Sequence, residues 1–301
     1  MPTRSLVKQV SDAFDGIFKP GTSRHEAKLD GTAAGAIFSY QSLRTYKARV
    51  IAAVRWIKQE RYAGRLHELR AITHTDWTAY IEACEDRKLA GGSLRATIAG
   101  LHKLEAGMRQ RGWWRDKAAF VPQLSTSTPR STPRLGFSQA HAQAIIGQLT
   151  GEVQLAAQLA FSSGLRINEL ARLRVEDIDF ENKTIKITRS NAKGGRERLV
   201  TRLLDPSVLA AIPRDRNYIF TNPSGFARVA QRQVAQARDH LGIGAGTGLG
   251  MHAFRATYAE QFLRRAITTD GLTEAAARKA LTLQLGHSRI DVTYRYCPKI
   301  T

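Results

Sequence analysis

Residues 121–137, VPQLSTSTPRSTPRLGF, constrain the fold more than any other stretch of this chain. Ser, Thr and Pro dominate them, and such a segment cannot bury a core. A single continuous globule is therefore excluded. The 301 residues are expected to form two units tied by an extended linker, a division that suits their length. Residues 1–36 read as an N-terminal helix and loop and 37–120 as a helical unit. Residues 121–137 are the linker, and 138–301 a second unit. Apolar residues make up 43% of the chain, enough for packed cores on both sides.

Before the linker the pattern is helical. Leu6, Val7, Val10, Phe14 and Ile17 recur at the spacing of a short amphipathic helix over 3–18. The polar, Gly-containing stretch 19–36 reads as a loop. A long helix follows over 37–61, apolar at Tyr46, Val50, Ile51, Val54 and Ile57 and basic at Arg44, Lys47, Arg55 and Lys58. Thr75 or Asp76 is the expected cap of a helix over 77–87. Gly91, Gly92 and Ser93 break the chain before another helix over 94–111.

Beyond the linker, 138–149, 151–163 and 165–174 read as helices. KTIKIT at 183–188 alternates like a strand, AKGG at 192–195 is a turn signal, and RERLVT at 196–201 returns, which makes a β-hairpin. Helices are expected again over 205–212, 227–241, 251–265, 273–285 and 289–296. The fold class is mainly α with a small β-sheet, in two domains. The stretch 266–284 looks slightly long for a connection.

The charge narrows the function. Lys and Arg number 46 against 26 Asp and Glu, a net +20, split about evenly across the linker. Enzymes of small neutral metabolites have no need of such a field, whereas a polyanion partner does. No apolar run approaches a membrane span, and the N-terminus has no secretory-signal pattern. Two distant cysteines, Cys84 and Cys297, fit neither a zinc spacing nor a disulfide framework. The expected compartment is a reducing cytoplasm.

Four segments of the second unit stand out together. GLRINEL at 164–170 carries Arg166 and Glu169 one turn apart. The hairpin tip carries Lys193. GMHAFRATYAEQF at 250–262 carries His252 and Arg255 at i, i+3 on one helix face. LGHSRIDVTYRY at 285–296 carries His287, Tyr294 and Tyr296. Each is ordinary alone: an arginine is usually solvated or ion-paired, and a tyrosine usually packs. Their conjunction, in order and within one basic unit, is not ordinary.

In this conjunction the chain resembles the tyrosine recombinase (phage integrase) family of site-specific DNA recombinases. The resemblance rests on an Arg in G-L-R-x-x-E-L, a hairpin Lys, H-x-x-R on a helix, then L-G-H and a Tyr nine residues later. It covers about residues 160–296, while unit 37–115 resembles the family's core-binding domain in size, helicity and position. It implies a catalytic set of Arg166, Lys193, His252, Arg255, His287 and Tyr296. Glu169, one turn from Arg166, is expected to hold Arg166 or another site residue by a hydrogen-bonded pair. The implied reaction cuts and rejoins DNA through a 3′-phosphotyrosine, with no cofactor, metal or ATP. Paired guanidinium donors neutralise the non-bridging oxygens, and the histidines donate hydrogen bonds or move a proton. Tyrosine stores the linkage covalently, and the lysine protonates the leaving 5′-oxygen. On a helix Tyr294 and Tyr296 point about 200° apart; the family spacing from His287 selects Tyr296.

The resemblance also implies two domains closing as a clamp around double-stranded DNA with inverted-repeat half-sites. It implies a homotetramer on two duplexes, and accessory DNA-binding factors as further partners. Candidate phosphate contacts are Arg44, Lys47, Arg95 and Lys103 on the first unit and Arg228, Arg232 and Arg238 on the second. Few residues follow Tyr296, and Pro298 discourages a further helix, so the family's tail contact between subunits is in question. The helix at 3–18 is expected to supply that contact instead. The alternatives are a type IB topoisomerase-like nicking-closing enzyme and a DNA-binding protein without strand exchange.

Overall fold

The structure is a computed structural model describing residues 4–22, 24–33, 35–115, 120–122, 135–192, 195–244 and 249–298. Most of the linker, and with it Lys193, lies outside the described residues. The chain divides into two compact units, Met1–Ser131 and Thr132–Thr301.

The first unit is helical: α1 (Leu6–Ile17), α2 (Arg24–Leu29), α3 (Tyr40–Glu60), α4 (His74–Asp86) and α5 (Gly91–Gln110). α2 lies where the sequence reads as a loop. The Ser5 hydroxyl caps α1 by accepting from the Lys8 amide, which satisfies one of the free N–H groups of a helix start. α4 begins earlier than the sequence indicates. Thr73 is its cap, and Asp76 is the third residue of a capping box, its carboxylate accepting from the Thr73 amide at 2.9 Å.

α1 is a core element. Val10, Ala13 and Phe14 are fully buried, and α1 packs on both α3 and α5. A Cβ on Gly107 of α5 would lie 2.1 Å from the Ala13 carbonyl oxygen, so only glycine permits this crossing. Its apolar face is thus covered within its own unit, and Val7 remains exposed. Val50, Ile57, Trp77, Leu101 and Leu104 complete this core.

The second unit contains α6 (Gln139–Gln148), α7 (Gly151–Ser163), α8 (Ile167–Leu170), α9 (Phe226–His240), α10 (Met251–Thr268) and α11 (Glu274–Leu285). Its sheet has three antiparallel strands, β1 (Ile178–Asp179), β2 (Thr184–Ile187) and β3 (Arg198–Val200), in the order β1-β2-β3. Ile185 faces Val200 and Ile187 faces Arg198 across the expected hairpin. β1 is an addition that its two residues are too short to announce.

The expected helix over 165–174 shrinks to the single turn of α8. Arg166 is extended at its start, and beyond it Val175 donates to the Asn217 carbonyl while Arg174 bridges Tyr218. Long-range backbone pairing here overrides local periodicity. The expected helices over 205–212 and 289–296 are 3₁₀ helices, Pro206–Ala211 and Ile290–Arg295. The long connection is accounted for by α10 running on to Thr268 and α11 starting at Glu274. No helix among the described residues is long and apolar enough to cross a membrane.

Candidate active site

Two helix ends create the site. α7 ends at Gly164, left-handed at φ 67°, where a Cβ would meet the Tyr258 ring at 2.4 Å. α11 ends at Gly286, also left-handed. Helix C-termini carry unpaired carbonyls and partial negative charge. Arg255, projecting from α10 with no exposed surface, satisfies both ends. Its Nη1 donates to the Gly164 carbonyl and its Nη2 to the Leu285 carbonyl at 2.8 Å. A buried cation is costly unless it is hydrogen-bonded, and here the fold supplies the acceptors.

Arg255 also reaches outward. Its Nη2 lies 3.2 Å from His287 Nε2, and its Nε donates to the Tyr296 hydroxyl at 3.4 Å. The same hydroxyl lies 3.4 Å from His252 Nε2. Both imidazoles flank the tyrosine ring, with centroids 5.8 Å away. Tyr296 is 5% exposed and Tyr294 47%. The 3₁₀ turn separates them by about 240°, since such a helix has about three residues per turn. Tyr294 instead stacks on Arg278, whose Cζ is 3.8 Å from the ring centroid.

Arg166 stands at the start of α8, its Nη1 donating to Glu169 Oε1 at 2.7 Å. Glu169 is buried and also accepts the Arg166 amide at 2.9 Å. Burial alone would raise its carboxyl pKa. Hydrogen bonds and charge from Arg198, then Arg166, outweigh this and hold it at about 2. Arg198, on β3, is a site residue that sequence reasoning missed. It pairs with both carboxylate oxygens, at 2.7 and 3.1 Å. The only hint in the sequence is an arginine on the strand after the Lys193 turn.

Burial, and next the charge of Arg166, lower Arg255 to about 10. It stays protonated at neutral pH, yet two cations share the site, and an anion between them would relieve both. His252 is exposed and His287 half-buried, so the pocket is open on one side. The structure thus brings together Arg166, Glu169, His252, Arg255, His287 and Tyr296. Among the described residues no three His, Cys, Asp or Glu converge as metal ligands would.

The candidate phosphate contacts divide. Arg228 and Arg232 are exposed, one turn apart on α9, and Arg44 is exposed on α3, with Lys47, Arg95 and Lys103 half-buried. Arg238 is not available. It is 8% exposed, its Nε and Nη2 pair with Asp239, and its Nη1 donates to the Leu249 carbonyl. It secures the end of α9 to the chain entering α10.

The second unit is mainly helical with a three-stranded sheet, and it sets Arg255 and His252 at the Tyr296 hydroxyl with His287 and Arg166 nearby. The profile described as the phage integrase family matches residues 139–299, more than half of the chain. The chain belongs to that family, and it is a site-specific DNA recombinase. A tyrosine recombinase XerC of Chromobacterium violaceum is 25% identical over 228 residues, 69% of this chain and 70% of that protein. In fold, the chain is similar to the Tn1549 transposon integrase in complex with a circular intermediate DNA. The TM-score is 0.62 at 17% identity, over 97% of this chain and 94% of that one. It is also similar to a lambda integrase dimer bound to a core site, with TM-score 0.64 at 15% identity, over 97% and 77%.

Proposed function

We propose that Tyr296 attacks a scissile DNA phosphate and holds the 3′ end as a phosphotyrosine. The observation that carries this reading is the Tyr296 hydroxyl lying within 3.4 Å of both Arg255 Nε and His252 Nε2. The hydroxyl oxygen forms the new P–O bond, the bond to the 5′-oxygen breaks, and the tyrosyl proton leaves through the adjacent imidazole. Arg166 and Arg255 neutralise the two non-bridging oxygens as charge builds. His287, beside Arg255, donates a further hydrogen bond. Lys193 gives the 5′-oxygen its proton. Rejoining is the reverse, with a 5′-hydroxyl as nucleophile, so the phosphodiester energy is conserved and no cofactor, metal or ATP is needed.

The two units grip one duplex as a clamp, with Arg44, Lys47, Arg95 and Lys103 on one side and Arg228 and Arg232 on the other. Each duplex carries inverted-repeat half-sites, and four copies of the chain assemble on two duplexes in the cytoplasm. Accessory DNA-binding factors set direction. The test starts with DNA flanking the gene, footprinted to locate the half-sites. A nicked suicide substrate built on that site is expected to trap a covalent adduct that Tyr296→Phe abolishes while still binding DNA. Adduct from the Phe variant would move the nucleophile elsewhere. Plasmids with two such sites are expected to recombine; relaxation alone would identify a nicking-closing enzyme.

A further inference from the structure

We propose that Arg198 is a positioning residue for DNA cleavage, acting through Glu169 on Arg166 and through the end of α11 on Arg255. This rests on the phosphate-binding roles proposed for those two arginines. Among the described residues, the Arg198 side chain touches both Glu169, which holds Arg166, and the end of α11, which holds Arg255. Its Nη1 and Nη2 hold the two Glu169 oxygens, at 3.1 and 2.7 Å, and Glu169 Oε1 holds Arg166. Its Nε donates to the Gln284 carbonyl at 3.0 Å. The next residue, Leu285, supplies the carbonyl that accepts from Arg255. The Arg198 side chain lies against Gly286, where an added Cβ would meet its Cδ at 2.9 Å, and His287 follows directly.

The geometry is specific to guanidinium. Three N–H groups point at three acceptors on two separate segments, with 6% of the Arg198 side chain and 1% of that of Glu169 exposed. An ammonium is a point charge and reaches only part of this set. Arg198 also sits on β3, the strand returning from the turn that contains Lys193. Asn191, entering that turn, donates to the Glu169 carbonyl at 2.8 Å. The hairpin is therefore fastened to the Arg166 turn at both of its described ends. With Arg198 in place, Glu169 is a fixed anion that orients Arg166. Without it, Glu169 keeps one cation in a buried setting, and its proton affinity rises.

The experiment compares wild type with Arg166→Ala, Arg198→Met, Arg198→Lys, Glu169→Gln and the Glu169→Gln/Arg198→Met double variant. Adduct formation is followed at saturating suicide substrate, beside DNA affinity and thermal unfolding. Arg198→Met is expected to slow adduct formation about tenfold or more while leaving DNA affinity within about threefold. Arg198→Lys is expected to recover part of the rate. The double variant is expected to be no slower than the slower single variant, because both changes cut one linkage. A methylphosphonate at the scissile position, neutral where the phosphate is charged, is expected to shrink the Arg198→Met deficit. Acidification is expected to slow Arg198→Met at a higher pH than wild type. Deficits that multiply in the double variant, or a folded Arg198→Met that cleaves at the wild-type rate, would overturn the proposal. If Arg198→Met does not fold, Arg198→Lys and its double variant with Glu169→Gln decide by the same criterion. Normal cleavage by Arg166→Ala would instead overturn the underlying assignment of the phosphate site.

Discussion

The two units bury charge differently: among the described residues the first buries anions, whereas the second buries cations as well, beside Glu169 and Asp177. In the first unit the buried ions are anions fenced by exposed cations. Asp12 pairs with Arg4 at 2.9 Å and Lys8 at 2.8 Å, and Asp76 pairs with Arg61 at 3.2 Å. The Lys8 hydrogen bond leads in lowering the Asp12 carboxyl. In the second unit the cations themselves go inside: Arg255 and Arg278 have no exposed surface, and Arg198 and Arg238 little. A chain of net +20 thus uses its positive charge in two ways. Exposed arginines such as Arg44, Arg228 and Arg232 attract a polyanion at long range, screened by salt. Of the buried ones, Arg255 is held by carbonyls and Arg198 by Glu169 and the Gln284 carbonyl, while Arg238 pairs with Asp239 and Arg278 with Glu274.

The largest test of this contrast is Tyr296→Phe, which is expected to abolish adduct formation, on the order of 10³-fold or more, with DNA affinity retained. Gel analysis of the covalent complex on a suicide substrate reads it. Next comes the folding of the first unit. Gly107→Val places side-chain atoms where even a Cβ meets the Ala13 carbonyl at 2.1 Å. Loss of about 3 kcal/mol or more is expected in urea unfolding, since the helices must separate. Gly164→Ala strains a left-handed turn against Tyr258. A loss of about 2 kcal/mol and slower cleavage are expected in the same melts and adduct assays.

Acid gives a finer division. Glu169 is held at about 2, below its ordinary 4.5, so its stabilisation is complete above pH 4.5 and fades as pH falls toward 2. On the order of 3 kcal/mol is expected to disappear over that window. Urea titrations at stepped pH check this, and Glu169→Gln should flatten the dependence. The smallest effect is at the surface. Arg228→Gln with Arg232→Gln is expected to lower the slope of log affinity against log salt by about two. Arg238→Gln, by contrast, should leave that slope unchanged and lower the melting temperature.

Much of the site is written locally. Gly-Leu-Arg, His-x-x-Arg and Leu-Gly-His each combine a helix end or helix face with a polar side chain, and such local codes survive folding. The hairpin was legible for the same reason, since strand alternation and a glycine turn act within a few residues. Arg198 was not, because its meaning comes from Glu169 and Gln284, 29 and 86 residues away. Arg238 misled for the mirror reason. It shares a helix with Arg228 and Arg232 but lies six residues past Arg232, about 240° round α9, where Asp239 and the Leu249 carbonyl hold it out of solvent. α1 is legible as an amphipathic helix, but periodicity marks an apolar face without saying that α3 and α5 cover it.

By itself the sequence determined the division into two units near residues 121–137, the basic field, the helical character of both units and the motifs that carry Arg166, His252, Arg255, His287 and Tyr296. Only the tertiary structure decided which arginines are buried and which are exposed, that 165–174 yields to backbone pairing with residues 217–219, and that Arg198 holds Glu169. The reason is that charge and periodicity are properties of a segment. The cost of burying a guanidinium is met only by carbonyls and carboxylates that distant segments bring to it.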